Sequence, residues 1–209
     1  MRLNPIHSPQ ASRLRRAVRG LSDPPTATAW NAGELADVFD ASLPRRPAAV
    51  LVPFVGRGDD LFVLFTRRSE RLRHHAGQIS FPGGGVDAGD ADAVAAALRE
   101  THEETGIEPA LVDAFGYLDR LDTVSGYRVT PVAGFVDESY CARLQEDEVD
   151  EVFEVPLAFI VDPASLSRER ILWRGIERDI LAFQWEGRRI WGATAAILKN
   201  LLDRLEAAR

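Results

Sequence analysis

The stretch ALRETHEETGI, residues 97–107, sets Glu100, Glu103 and Glu104 close together and then reaches Gly106. At about 100° per residue these three acids share one arc of a helix. The opposite arc carries Ala91, Val94, Ala95, Leu98 and Thr101, an apolar stripe suited to packing. Glycine takes the left-handed conformation that ends helices at little cost, which makes Gly106 a natural terminator, so the spacing predicts a helix over 91–105. Two local terms oppose the arrangement. Like charges at i,i+3 and i,i+4 cost a few tenths of a kcal/mol each, and carboxylates in the last turn face the negative end of the helix dipole. Either the acids form a solvated face, or they hold a hard divalent cation whose charge cancels the repulsion. His102 projects toward the packed side and reads as a core-edge histidine rather than a ligand.

Just upstream, QISFPGGG reads as a strand entering a glycine-rich loop. Glycines before a helix can cradle phosphate, because backbone N–H groups there are free to bind anions. GGGVDAGDAD lacks the Lys-Ser/Thr ending of a P-loop and does not complete a dinucleotide fingerprint. It also fails as an EF-hand, since counting from Asp87 puts Leu98 where a bidentate glutamate is needed. The glycines and the glutamates have to be read together.

Further out, AAVLVPFV and LFVLFTR are apolar runs joined by GRGDD, the pattern of a hairpin. Arg57-Gly58-Asp59 is read as its tight turn and not as an adhesion motif. Strands are expected at LVDAFGYLDRLD, YRVTPVAGFVD, DEVFEVPL and ILAFQWEG, and a closing helix at about 193–208. Strands on both sides of an internal helix predict a layered α/β or α+β domain. Residues 8–20 suit a basic amphipathic helix, SDPPTATAWNAG a linker, and the region from Glu34 to Phe39 a short helix. The expected division is an N-terminal helical extension over 1–44 and one domain over 45–209.

With 209 residues, 45% of them hydrophobic, the chain can bury a substantial core. A net charge of −7 and a pI near 5.2 argue against a nucleic-acid partner. A small anionic substrate stays open, given local arginines and a metal. The single Cys141 excludes an internal disulfide and a multi-cysteine zinc site, which fits a reducing, cytoplasmic compartment. No apolar run is long enough to span a membrane, and the N-terminus lacks the apolar core of a secretory signal. Its arginines do not mark a transit peptide, because Lys199 is the only lysine and arginine replaces lysine throughout.

The glycines followed by RETHEETGI resemble the Nudix box, in which a glycine and an acid precede an R-E-U-X-E-E-X-G-U run, U being aliphatic. Arg99, Glu100, Glu103, Glu104, Gly106 and Ile107 fall on it, and Thr101 occupies one U position. Counting from Gly85 puts Ala91 at the first acid, with Asp90 one residue earlier. In the family that acid pairs with the motif arginine, so the count leaves the partner of Arg99 open. A second segment, LFTRRSERLRHHAGQISFPGG (Leu64–Gly84), resembles the signature of the coenzyme A pyrophosphatase subfamily. Thr66, Arg68, Ser69, Arg73, Gly77, Phe81, Pro82, Gly83 and Gly84 match, and Phe65 replaces a leucine. GYRVTPVAGF, EVFEVPL and IWGATAAIL are similar to the same subfamily, so the resemblance spans about residues 45–200.

The resemblance implies a Nudix fold, an α/β/α sandwich around a mixed sheet and α+β in class. It implies Mg2+ or Mn2+ as cofactor and a small-molecule substrate, coenzyme A or a derivative. Hydrolysis would give 3′,5′-ADP and 4′-phosphopantetheine. Glu100, Glu103 and Glu104 are the expected metal ligands, with a carbonyl from Gly84, and Arg99 belongs to the catalytic box. Substrate contacts are expected from Arg67, Arg68, Ser69, Arg73, Gly83, Gly84 and Arg128, since planar guanidinium groups suit phosphates. The general base is sought in LQEDEVDEV: such a run of acids is more often a solvated loop or helix start, and among Glu146, Asp147, Glu148, Asp150 and Glu151 the favoured candidate is Glu148. His74 and His75 are read as surface residues. Alternatives are a Nudix hydrolase for another nucleoside diphosphate derivative such as ADP-ribose or NADH, or a non-catalytic Nudix-like binding module.

Overall fold

The computed structural model describes residue 6 and residues 8–26, 28–34, 44–173 and 175–208. The apolar run AAVLVPFV lies within the first strand, β1 (Arg46–Arg57). Ala49, Leu51, Val52, Phe54 and Val55 are fully buried, as expected for a strand covered on both faces. β1 pairs in parallel with β7 (Tyr127–Val136), from Arg46↔Tyr127 to Val55↔Val136. It turns through Gly58, at φ 64°, into antiparallel β2 (Asp60–Arg68). β2 in turn pairs with β3 (Ile79–Ser80) and β8 (Val149–Pro156). β4 (Gly83–Gly85) returns to β1, setting Gly83 opposite Val50 and Gly84 opposite Ala49. β5 (Val112–Tyr117) and β6 (Leu121–Asp122) both pair with β7. The result is a mixed, eight-stranded sheet.

One face is covered by α2 (Ala93–Thr105), whose Ala96 and Ala97 pack with Leu51, Val55 and Leu64. The other face carries α1 (Pro9–Ala17), α3 (Leu157–Ile160) and α4 (Ala193–Ala207), which bury Leu14, Leu157, Leu198 and Leu201. Each such leucine contributes roughly 2 kcal/mol of burial. This is the expected three-layer α+β arrangement. Phe81 of the FPGG run is buried and stacks on Phe65 with ring centroids 5.0 Å apart, which anchors the glycine loop to the sheet.

Three features differ from the sequence reading. A separate antiparallel sheet is built from β9 (Leu166–Trp173), β10 (Ile176–Trp185) and β11 (Arg188–Trp191), of which only the ILAFQWEG part is expected. SRER in β9 has no apolar alternation to betray a strand. The strand expected across LVDAFGYLDRLD is broken between β5 and β6, because the Asp119 carboxylate is drawn onto Asn200 and Arg204 of α4. The N-terminal helix stops at Ala17, since Arg19 forms a bridge with Tyr117. α1 is tied to α4 by Arg13 donating to the Leu205 carbonyl and Arg204 donating to that of Ala17. The short helix expected from Glu34 to Phe39 lies outside the described residues beyond Glu34. Among the described residues, no helix is long and apolar enough to cross a membrane.

Candidate active site

α2 starts later than the periodicity predicts. Asp92 caps it, its carboxylate accepting the Ala95 N–H at 2.9 Å, while Ala91 stays outside and exposed. Gly106 ends it at φ 69°, and its N–H donates to the His102 carbonyl at 2.8 Å. The buried stripe is Ala96, Ala97, Thr101, Glu104 and Thr105. Glu104 therefore lies on the packed side and not on a free acidic face, because the glycine loop and β1 cover that side of the helix. His102, expected at the core edge, is 44% exposed.

Glu104 is 3% exposed, and its Oε2 accepts the Gly83 N–H at 3.1 Å. Its Oε1 lies 3.7 Å from Arg68 Nη1. Burial pushes this carboxyl up to about 7, against the opposing pull of the Gly83 N–H and Arg68, and the neighbouring charges of Glu100 and Glu148 push the same way as burial. Glu100, one turn earlier, is also shifted up, first by burial and then by Glu103 and Glu148, with Arg99 opposing. Its carboxylate lies against Gly84 so closely that a Cβ there would come within 2.4 Å of Oε2. A glycine at this point is thus required for the acid to reach the loop.

Arg99 organises the remainder. Its Nε and Nη2 donate to the two Asp90 oxygens at 3.0 and 2.9 Å, and Nη2 also donates to the Gly85 carbonyl. Its Nη1 bridges Glu100 and Glu103, 3.0 Å from each. Asp90 is the partner that counting along the sequence left open, and the loop from Gly85 to Asp90 brings it back onto the helix. Asp90 raises the guanidinium pKa strongly and is itself held below the usual carboxylate range by Arg99. Arg99 thereby positions Glu100 and holds the glycine loop. Glu103 is 56% exposed and turned onto Arg99.

The other expected residues separate. Arg68 reaches Glu104, whereas Arg67 turns to Glu151, 3.2 Å away. The two alternate because successive side chains of a strand point to opposite faces. Ser69, expected at the substrate, is fully buried, and its N–H donates to the Glu148 carbonyl at 2.8 Å, so it shapes a turn. Arg73 is exposed. Arg128, also expected at the substrate, is folded onto Asp122 through two hydrogen bonds of 2.8 and 2.9 Å. Glu148 is exposed yet close enough to add its charge to both Glu100 and Glu104. Its loop docks on the end of α2, with the N–H groups of Arg143 and Gln145 donating to the carbonyls of Thr105 and Glu104. A register shift where β8 passes Arg67 and Arg68 leaves Asp150 without a partner residue on β2, its carboxylate accepting the Glu70 N–H instead, a bulge of the kind that re-aims neighbouring side chains.

Among the described residues, no three histidine, cysteine or carboxylate side chains converge on one metal-sized point. The donor set that faces the glycine loop is Glu100 and Glu104. Two hard carboxylates and a loop backbone suit magnesium or manganese, which take one or two protein carboxylates and complete their shell with water and substrate phosphate.

The sequence model of the NUDIX domain matches residues 44–172. A relative from Escherichia coli K12, an uncharacterized Nudix hydrolase named NudL, is 44% identical over 160 residues, which cover 77% of this chain and 83% of the relative. A Shigella boydii protein of the same name matches to the same extent. Among solved structures, the MutT protein from Methanosarcina mazei Go1 superposes with a TM-score of 0.51 at 20% identity, over 80% of this chain and 97% of that one. A MutT/nudix family protein from Enterococcus faecalis does so with a TM-score of 0.50 at 15% identity, over 96% and 75%. At such identities the structural likeness bears on the fold alone.

Proposed function

Because the chain belongs to the Nudix hydrolase family, we propose that it hydrolyses the pyrophosphate bond of coenzyme A or a derivative of it. The products are 3′,5′-ADP and 4′-phosphopantetheine or its acyl form. The observation that carries the reading is Arg68, which the coenzyme A-type segment Leu64–Gly84 delivers to 3.7 Å from the buried Glu104. A guanidinium beside a carboxylate pair is what a pyrophosphate needs next to its metal.

In this reading Glu100, Glu104 and the Gly84 carbonyl hold magnesium or manganese, and Glu103 stands beside them on Arg99. When bound, the metal neutralises non-bridging phosphate oxygens and acidifies water. Arg99 fixes Glu100 through Nη1, and Arg68 with the exposed Arg73 supplies cationic donors to the phosphates. Glu148 takes the proton of the attacking water as the new O–P bond forms and the bridging P–O bond breaks toward the leaving phosphate. Its place in a loop docked on α2 suits this role better than box glutamates engaged as ligands.

The test is a panel of coenzyme A, dephospho-coenzyme A, ADP-ribose and NADH with magnesium or manganese, products being identified by mass. Coenzyme A is expected to show the highest kcat/KM. A higher value for ADP-ribose or NADH assigns the chain to another nucleoside diphosphate derivative. For the base, Glu148→Gln is expected to lower kcat roughly a hundredfold, within the range of general-base loss, and to remove the acidic limb of the pH–rate profile. Wild-type kcat with an intact limb would place the base in the box.

A further inference from the structure

A second concave site lies at the end of β2, beyond the carboxylates. It is a cleft of about 570 Å³ between the core sheet and the β10–β11 hairpin, and none of Glu100, Glu103, Glu104 or Glu148 lines it. That volume suits a nucleotide-sized group. One wall is Arg67, Glu151 and the segment 76–79, directly upstream of the glycine loop. The other wall is Glu186, Arg188, Arg189 and Trp191, all beyond residue 172, where the match to the shared domain ends. Arg67 and Arg68 are adjacent at the end of β2 but point to opposite faces of the sheet, so a ligand that lies against Arg68 and Glu104 reaches the cleft only by passing round the strand end.

The chemistry of the lining is specific. It offers three guanidinium groups with an indole beside them, each guanidinium already held by a carboxylate: Arg67 and Arg188 by Glu151, Arg188 also by Glu186, and Arg189 by Glu169 just outside the cleft. Arg188 donates to Glu151 at 2.6 Å and lies over the Phe153 ring at 4.7 Å, which fixes its plane. Arg189 lies over Trp191 at 4.8 Å. Arg67 Nε lies 3.2 Å from the Glu151 carboxylate, while the Nε of Arg188 is buried without a hydrogen-bond partner. The hairpin turn is unusual as well. Glu186 and Gly187 both have positive φ, 46° and 79°, and this turn type favours asparagine, aspartate or glycine at its first central position. A strained glutamate at the mouth of a cleft points to a role for its carboxylate.

We propose that this cleft holds the phosphorylated nucleoside end of the substrate. The base stacks against Trp191, its exocyclic amine donates to Glu186, and the phosphate that is not hydrolysed lies among Arg67, Arg188 and Arg189. In the coenzyme A reading, on which this assignment rests, that end is the 3′-phosphoadenosine. Family-shared residues then carry the bond cleavage, and the hairpin beyond them selects what is cleaved.

Titration calorimetry of the full chain in EDTA, with adenosine 3′,5′-bisphosphate, AMP and inorganic phosphate, tests the proposal independently of turnover. The bisphosphate is expected to bind at least tenfold more tightly than AMP or phosphate. Arg189→Gln and Trp191→Leu should weaken it at least fivefold and raise the KM for coenzyme A with kcat kept, while Trp191→Phe restores binding. Glu186→Gln, which preserves the turn backbone, should erase any preference for the adenosine over the inosine bisphosphate, and it reports even if the hairpin variants unfold. The proposal is overturned if wild type does not bind the bisphosphate, if phosphate alone binds equally well, or if the variants melt and bind as wild type does. Failure of the coenzyme A reading itself would look different, as preferred turnover of ADP-ribose or NADH while the bisphosphate still binds at the hairpin.

Discussion

Glu104→Gln is expected to lose turnover by roughly 10²–10³-fold, the scale of removing one preorganised electrostatic contact, and at the same time to stabilise the metal-free protein at pH 8. Burial raises this carboxyl from about 4.5 to about 7. Below pH 4.5 both folded and unfolded chains hold the proton, so the group carries no differential cost. As pH rises toward 7 the unfolded chain ionises first, stability falls across that window, and it remains lower above it. The difference is worth about 3 kcal/mol at pH 8, enough to move the melting temperature by several degrees in a chain of this size. In chelator, the variant should therefore melt above wild type at pH 8 and together with it near pH 4.5. Adding magnesium or manganese should raise the wild-type melting temperature and leave the variant's nearly unchanged. Glu103→Gln, on an exposed acid held by Arg99, is expected to lose under about tenfold in kcat. Near-normal kcat for Glu104→Gln at saturating metal, or equal melting at pH 8, would remove Glu104 from its assigned role.

The two glycines of the loop are expected to fail in opposite ways. Gly83 sits at φ 147°, and a Cβ there would come within 2.4 Å of the Ala49 carbonyl oxygen and 2.5 Å of Val50 Cα. Those are backbone atoms of the central strand and cannot move aside. Gly83→Ala should cost on the order of 3 kcal/mol or more, through strain and loss of the Gly83↔Val50 pairing. At Gly84 the obstacle is the Glu100 carboxylate, 2.4 Å away at the end of a flexible side chain. Gly84→Ala should fold within about 1 kcal/mol of wild type yet lower kcat at least roughly tenfold, because Glu100 must swing away from the loop. Chemical denaturation beside steady-state kinetics separates the two outcomes. A stable Gly83→Ala, or a fully active Gly84→Ala, would show that the loop does not hold the glutamates as described.

Much of this molecule is readable in local patterns. The alternating and continuous apolar runs mark β1, β2, β7 and β8. Gly58 and Gly106 mark ends that only a left-handed residue makes cheaply, and both adopt positive φ. The short spacing of Glu100, Glu103 and Glu104 before Gly106 marks the acidic helix α2 and its end. These features depend on neighbours a few residues apart, which is the range that periodicity and turn chemistry report.

Other features were settled by contacts distant in sequence. Periodicity put the three glutamates in one arc, but the β1–β4 pairing buried Glu104, drew Glu103 out to Arg99 and left His102 exposed. Asp90 became the partner of Arg99 through a loop whose length defeats counting. Ser69 and Arg128 have the right chemistry for a phosphate, yet one is buried under the Glu148 loop and the other is held by Asp122. The cleft walls, Arg67 with Glu151 and Glu186 with Trp191, meet only because a second sheet packs beside the first. Sequence by itself therefore determined the layered fold, the glycine loop and the acidic helix, because short-range backbone preference and apolar period encode them. Only the tertiary structure decided which charges are buried, paired or left facing a ligand, because desolvation and ion pairing depend on residues as much as 100 positions apart.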